Sequence, residues 1–414
     1  MNTTEDKIKC NEKEILKGIK VIDFGWAIAG PLVATYLGFL GATVITVEST
    51  TNVDPIRQTG PFREGIPEPN RCALFAIYNP GKYSLSLSLK TPQGMEIGRR
   101  LIKWADVMVE NFAPGVTKRL KIDYQSVKKI NPSIIYASST QLGQTGPHAH
   151  FRGMGVHGAA MAGLFSVTGW PDGEPVGPFG PYTDLVGPKF LTPAILAALL
   201  IRHHTGKGQY IEQSQAEAGM NFIAPALLDY TANKVVMNGV GNRAPNAVPH
   251  GAYRCKGDDR WCVIAIYTDE EWKSFVQAIG APQWIQDRNF ATFLDRKKNE
   301  EELDALIGMW TSTQSAETIM LHLQEYGVPC GIVTKAEDLI KDPQLEHRHH
   351  YWVLNHRIIG PHNYEAPPFT FSKTPIILKY PGPLLGEHNK YICEEILGMG
   401  GKEFSSLEKA GVFQ

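Results

Sequence analysis

GIKVIDFGWAIAGPLVATYLGFLGATVITVE, residues 18–48, decides the fold. A turn leads into a short apolar strand that closes at Gly25. Pro31 to Leu40 then reads as a helix. Gly41 follows, and Thr43 to Glu48 reads as a second strand. Strand, helix and strand joined by tight glycine turns form the repeating unit of a parallel sheet. The same pattern continues downstream. Lys90 to Asp106 predicts a helix with apolar Ile97, Leu101, Ile102 and Trp104, and Val107–Val109 and Ile134–Ser138 predict strands. The first half is therefore α/β, Rossmann-like and doubly wound.

The chain has 414 residues, too many for one ordinary core, so two domains are expected. The character changes after Gln209. A helical stretch, Ser214–Tyr230, gives way to NGVGNRAPNAVPH (238–250), a loop by its Gly, Asn and Pro content. Tyr253–Ile266 alternates like a hairpin around Gly257-Asp258-Asp259. Helices are expected at Glu270–Ile279, Glu300–Met309 and Ala316–Tyr326. From about His349 strand character returns, and a last helix is expected near Asn389–Leu397. The expected division is a large α/β domain from residues 1–225 and 350–414, with a smaller α+β domain at 226–349.

Composition narrows the function. Apolar residues are 43% and charged residues 20%, the balance of a globular protein in water. The net charge of -1 gives no global field for nucleic acid, so an anionic ligand must be met by local cations. The opening MNTTEDKIKCNEKEI lacks the apolar centre of a signal peptide. The longest apolar run, Ala194–Ile201, falls short of the roughly 20 residues of a membrane span. Cys10, Cys72, Cys255, Cys262, Cys330 and Cys393 are scattered without a CxxC pair. They read as packing thiols in a reducing cytoplasm, not as a metal site.

Several familiar chemistries fail on spacing. The turn GWAIAGP lacks the middle glycine of GxGxxG, so it cannot admit a pyrophosphate. Pro80-Gly81-Lys82-Tyr83-Ser84 is not a P-loop. Glu346-His347-Arg348-His349-His350 has no carboxylate at helical spacing and reads as solvated surface. His203-His204 suits the carboxyl end of a helix, and His157 in GVHGAAMAGLF reads as a core residue. No GxSxG or cysteine nucleophile motif is present. One carboxylate stands out. Asp184, in GPYTDLVGPKFLTPAILAALLIRHHT (180–205), lies just ahead of a long apolar helix. There an acid either caps the helix or, in a dry site, attacks an activated acyl group.

Long stretches are similar to the class III CoA-transferases, the formyl-CoA and carnitine CoA-transferase type. They are the opening 18–48, SLKTPQG (88–94), ADVMVENFAPG (105–115), GQTGP (143–147), AALLIRHHTGKGQ (197–209), YGVPCG (326–331) and PLLGEH (383–388). The resemblance implies that Asp184, which follows the Thr168-Gly169…Asp172-Gly173 turn, is the catalytic nucleophile. It implies CoA contacts from Ala29, Arg57, Leu87, Lys90, Asn111, Phe112, Arg119, Arg152 and Met154. Trp26, Ile28, Phe179 and Tyr182 would line an acceptor pocket more apolar than one for oxalate.

The chain departs from the family at Ser49, where relatives hold an arginine. It departs again at Asn79–Ser84, which keeps only Lys82 of a more basic run, and at Ile28, which replaces a glutamine. Pro245–Val248 stands where relatives have a glycine-rich loop. These differences point away from formyl and oxalate.

The implied reaction moves CoA from an acyl-CoA donor such as succinyl-CoA to a carboxylic acid, an arylsuccinate for example. It would run through aspartyl anhydride and aspartyl-CoA intermediates. CoA is a substrate, and neither a permanently bound cofactor nor a metal is implied. The resemblance also implies an interlocked dimer, as a homodimer or with a homologous subunit, with no membrane or nucleic-acid partner. Two alternatives are a 2-methylacyl-CoA racemase and a non-catalytic CoA-binding subunit. Racemases of this fold place a His-Asp pair where Met154 and Gly155 stand, so one of their two bases is missing here.

Overall fold

A computed structural model describes residues 14–414; Cys10 and the polar opening segment lie outside the described residues. Six strands form one parallel sheet: β1 (Lys20–Asp23), β2 (Thr43–Glu48), β3 (Tyr83–Ser86), β4 (Val107–Glu110), β5 (Ile135–Thr140) and β6 (Gln209–Ser214). Their order is β3-β2-β1-β4-β5-β6. The order reverses between β1 and β4, and in open parallel sheets the crevice beyond the carboxyl ends at such a point receives ligands.

Alternation along the strands feeds two cores, because successive side chains point to opposite faces. Val21, Val107, Val109, Ile135 and Ala137 pack with Val33, Ala34 and Leu37 of the first helix, Ala29–Phe39. Leu191, Ile195 and Ala198 of the long helix Tyr182–Thr205 join the same face. Ile22, Ile45, Leu85, Met108 and Tyr136 pack on the other face with Ile97 and Leu101 of the Pro92–Trp104 helix and with C-terminal Ile392 and Phe404. Helices on both faces explain why the strands read as continuous apolar runs. The long helix has the length and composition to cross a membrane. Its Leu191–Leu199 stripe is instead buried against the sheet.

The chain clusters into two compact units. One comprises the chain up to Leu164, Gly177–Leu228 and Glu346–Gln414 and contains the parallel sheet. It also holds an antiparallel hairpin, β10 (Tyr351–His356) with β11 (Gly360–Glu365). The other comprises Phe165–Val176 and Asp229–Leu345. Its antiparallel sheet runs β7 (His250–Arg254), β8 (Trp261–Ala265) and β9 (Cys330–Ile332). That sheet is covered by Phe275, Leu303, Ile307, Ile319 and Leu323 from three helices. Phe165–Val176 was expected in the large domain. It clusters with the second unit, where Gly241 N–H donates to Gly169 O at 2.7 Å.

Three further details differ from the sequence reading. Ser214–Tyr230 is two helices, Gln215–Met220 and Ala224–Asn233, joined by a short 3-10 turn. Asn389–Leu397 is one helical turn followed by a π turn, Ile392–Ile396. The final helix is Gly401–Lys409.

Candidate active site

The switch point is built from the loops after β1 and β4. Gly25 and Gly30 are needed because the loop folds on itself: a Cβ on Gly25 would lie 2.8 Å from the Gly30 Cα. Asn111 clamps Trp26 with both ends of its amide. Its Oδ1 accepts from Trp26 N–H at 2.7 Å and its Nδ2 donates to Trp26 O at 2.9 Å. The Trp26 and Phe112 rings meet edge to face at 5.6 Å. Ala27 has a left-handed φ of 60°. Both oxygens of buried Asp54 hold its N–H, at 2.9 and 2.8 Å. Such a backbone conformation persists only where its surroundings fix it.

Asp184 is the third residue of the long helix, whose first is Tyr182. It therefore stands inside the first turn and does not cap its own helix, which begins after Pro181. Its Oδ2 instead accepts the N–H of Gly155 at 3.0 Å. Gly155 opens another helix, Gly155–Met161. The nearby Gln215 amide favours the ionised form of Asp184. Among the described residues no cation forms a salt bridge with it. Leu185, the next residue along the helix, belongs to an apolar cluster with Ile28, Ile56 and Phe75. Burial pushes the Asp184 carboxyl up to about 6, opposed by the hydrogen bond from Gly155 and by the Gln215 amide. An acid raised this way is protonated below that pH and ionised above it. If the carboxylate is the nucleophile, kcat/KM for the acyl-CoA falls tenfold per pH unit below about 6 and levels off above it. A pH–rate profile checks this.

The structure sorts the other expected residues. Ala29 and Leu87 are buried and shape the loops. Lys90, Arg119 and Arg152 are exposed. Lys90 follows β3 and Arg119 follows β4, so both leave the sheet at its carboxyl side. Met154 is exposed, and its N–H donates to His157 Nδ1 at 3.1 Å. His157 was expected in the core; it lies on the surface and closes the start of its helix. Tyr182 is half-buried against Phe222.

Three expectations are corrected. Arg57 is only 1% exposed and forms a two-pronged ion pair with Glu48, with both bonds at 2.8 Å. Its guanidinium also lies 3.3 Å over the Phe75 ring, so it anchors the loop after β2 and offers no free edge to a phosphate. Asn111 has its amide engaged by Trp26, so it positions the loop and its side chain is not free for CoA. Phe179 is 100% exposed and packs against no wall among the described residues. Sequence reasoning missed Asp54, Gln215 and the donor role of Gly155. Only Asp54 left a signal, the Asp-Pro start of a turn, where its side chain accepts from Ile56 N–H at 2.9 Å. No group of three or more His, Cys, Asp or Glu among the described residues is placed to hold a metal ion.

Comparison with known proteins bears on this geometry. The sequence model for CoA-transferase family III matches residues 16–389. The chain belongs to CoA-transferase family III. It is 29% identical over 400 residues to succinyl-CoA–D-citramalate CoA-transferase of Chloroflexus aurantiacus, covering 95% of this chain and 96% of that one. It is 30% identical over 406 residues to mouse (Mus musculus) succinyl-CoA:glutarate CoA-transferase, covering 98% of this chain and 92% of the other. A CAIB/BAIF family protein from Brucella suis superposes with a TM-score of 0.85 at 31% identity, over 93% of this chain and all of that one (100%). This family III CoA-transferase is thus an enzyme whose substrates are CoA thioesters and carboxylates.

Proposed function

We propose that this CoA-transferase carries CoA from succinyl-CoA to a second carboxylic acid through Asp184. The observation that carries the reading is the setting of that carboxylate: buried, unpaired by any cation among the described residues, and held by one backbone N–H. Oδ1 adds to the thioester carbonyl carbon of the donor, and the C–S bond breaks to release CoA thiolate. The product is a mixed anhydride on Asp184. The thiolate then attacks the aspartyl carbonyl. A new C–S bond forms, the anhydride C–O bond breaks, and the donor acid leaves as its carboxylate. The acceptor carboxylate reverses both steps. Thioester energy is conserved throughout, so the cycle needs no ATP, and the apolar wall of Ile28, Ile56 and Leu185 protects the anhydride from water.

In this reading Lys90, Arg119 and Arg152 receive the CoA phosphates. Salt bridges do not engage Lys90, Arg119 or Arg152 among the described residues, and Lys90 and Arg119 lie at the carboxyl side of the sheet. Trp26, Ile28 and Tyr182 favour an acceptor with a branched or aryl-substituted body, such as a substituted succinate. Relatives acting on D-citramalate and glutarate support a dicarboxylic acid and a succinyl donor. The enzyme acts as a cytoplasmic dimer. Exposed Phe190, Leu200, Ile201, Phe222 and Leu228 on the first unit support an apolar subunit contact. The test is a mass-resolved screen of CoA transfer from succinyl-CoA and acetyl-CoA to a panel of acids. Transfer from succinyl-CoA to a substituted dicarboxylate is expected. Transfer to oxalate alone, or to no acid, would overturn the assignment.

A further inference from the structure

The loop after β1 is held at two successive residues. Asn111 fixes Trp26 from the end of β4. Asp54 fixes Ala27 from the segment that follows β2. Asp54 is 2% exposed and caps the short turn Pro55–Gln58. Its two oxygens both accept the Ala27 N–H, Oδ1 at 2.9 Å and Oδ2 at 2.8 Å. Oδ1 also accepts the Ile56 N–H at 2.9 Å. Capping the turn needs one oxygen only, and serine or asparagine would serve as well. The second oxygen is there for Ala27.

Two buried cations lie in the same region, and each is already paired. Lys82 Nζ meets Asp23 Oδ2 at 2.8 Å, and Arg57 Nε meets Glu48 Oε1 at 2.8 Å. Among the described residues no salt bridge engages Asp54. A buried carboxylate without a cation is costly, and this one is satisfied by backbone N–H groups. Ala27 needs such a hold. Its φ of 60° is left-handed, a conformation that a side chain disfavours. Released, Ala27 returns to negative φ, and the residues on either side turn with it. These are Trp26 and Ile28. Ile28 and Ile56 share the apolar cluster that contains Leu185, the neighbour of Asp184. One carboxylate therefore sets both loops that form this cluster.

We propose that Asp54 is a positioning residue for CoA transfer: by holding Ala27 in its left-handed conformation it fixes Trp26 and Ile28 where they shape the acyl pocket beside Asp184. The inference rests on the pocket reading above and adds a residue that touches no substrate. Asp54 acts through the backbone of the loop after β1, and its effect falls on the placement of the acid to be activated. The CoA phosphates are met by other residues and do not depend on it.

The experiment compares wild type, Asp54→Asn, Ala27→Gly and the double variant, at a pH above the value of about 7 to which burial pushes the Asp54 carboxyl. Asparagine keeps one oxygen for the Ile56 N–H and turns its amino group on Ala27. The assay is exchange of isotopically labelled succinate into succinyl-CoA, read by mass. Asp54→Asn is expected to lower kcat on the order of 100-fold, as for a misplacement of about 1 Å. KM for succinyl-CoA stays within about twofold, since uniform binding is untouched. Adding Ala27→Gly is expected to recover about tenfold, because glycine takes a positive φ without the penalty a side chain bears. A merely structural role would lower stability and leave kcat per folded molecule unchanged. Wild-type kcat in Asp54→Asn, or no recovery in the double variant, overturns the inference. Asp54→Ser, which also caps the turn with a single oxygen, takes its place if Asp54→Asn does not fold. Backbone deuterium exchange needs no substrate. The peptide spanning Trp26–Gly30 is expected to exchange faster in the folded Asp54 variant, and an unchanged rate also overturns the inference. Wild type without succinate exchange would instead sink the succinyl-CoA reading, and deuterium exchange would still decide the role of Asp54.

Discussion

The Asp184→Ala enzyme is expected to fold and bind acyl-CoA yet to lose CoA transfer by on the order of 10⁴-fold or more. A nucleophile that forms both covalent intermediates has no substitute in the cycle. Steady-state transfer monitored by mass checks the loss, and equilibrium binding of a CoA ester checks that the site survives. Asp184→Asn should be equally inactive but more stable than wild type. The Asp184 carboxyl is raised from 3.8 in the unfolded chain to about 6 when folded. The folded state therefore binds its proton more tightly. That contribution is fully present below about 4 and is lost as pH rises through about 6. At neutral pH the buried ionised carboxylate destabilises the fold, by up to about 3 kcal/mol for a two-unit shift. Asparagine keeps an acceptor for Gly155 N–H without the charge. A raised unfolding midpoint for Asp184→Asn at pH 7.5, with no gain at pH 4, is the expected result.

Arg57→Met should be the most destabilising single change near the site, by about 3–5 kcal/mol, because it leaves Glu48 buried and unpaired. Glu48 and Arg57 side chains are each 1% exposed. Arg57 Nη2 also lies 3.4 Å from Pro383 O and Nη1 lies 3.3 Å from Asn70 Oδ1, so several segments lose a partner together. The double variant Glu48→Met/Arg57→Met should recover most of the loss, since an apolar pair of similar size removes the unpaired charge. Denaturant unfolding of the three proteins checks both statements. A mere fall in CoA affinity for Arg57→Met with unchanged stability would return Arg57 to the phosphate role.

Parts of this molecule were legible from sequence because local pattern and tertiary role coincide. The strand at Lys20–Asp23, the helix after Gly25 and the strand Thr43–Glu48 follow from apolar runs between glycine turns. The strand Gln209–Ser214 escaped notice. It is an edge strand with exposed Gln209 and Tyr210, so its residues are polar and show no apolar run. Tyr83–Ser86 reads YSLS, with two serines among its four residues, so it shows no apolar run either. Asp184 stood out in the sequence, but its partner did not. Gly155 reaches it from another helix, and nothing local to GVHG announces a hydrogen bond to a distant carboxylate. Arg57 and Asn111 show the converse. Their residue types suit a phosphate ligand, yet Glu48 and the Trp26 backbone engage them first. Sequence similarity places a residue in a loop without showing which way its polar atoms are already bonded.

The central claim is that Asp184 becomes covalently acylated, and one measurement addresses it. The wild-type enzyme is incubated with succinyl-CoA and hydroxylamine, digested, and the peptide containing Asp184 is sequenced by mass. An anhydride or thioester on that carboxylate is cleaved by hydroxylamine to leave a hydroxamate. The expected result is a hydroxamate on Asp184 that appears only with acyl-CoA and is absent from Asp184→Asn. Full CoA transfer with an unmodified Asp184, or a hydroxamate on another carboxylate, would contradict the account.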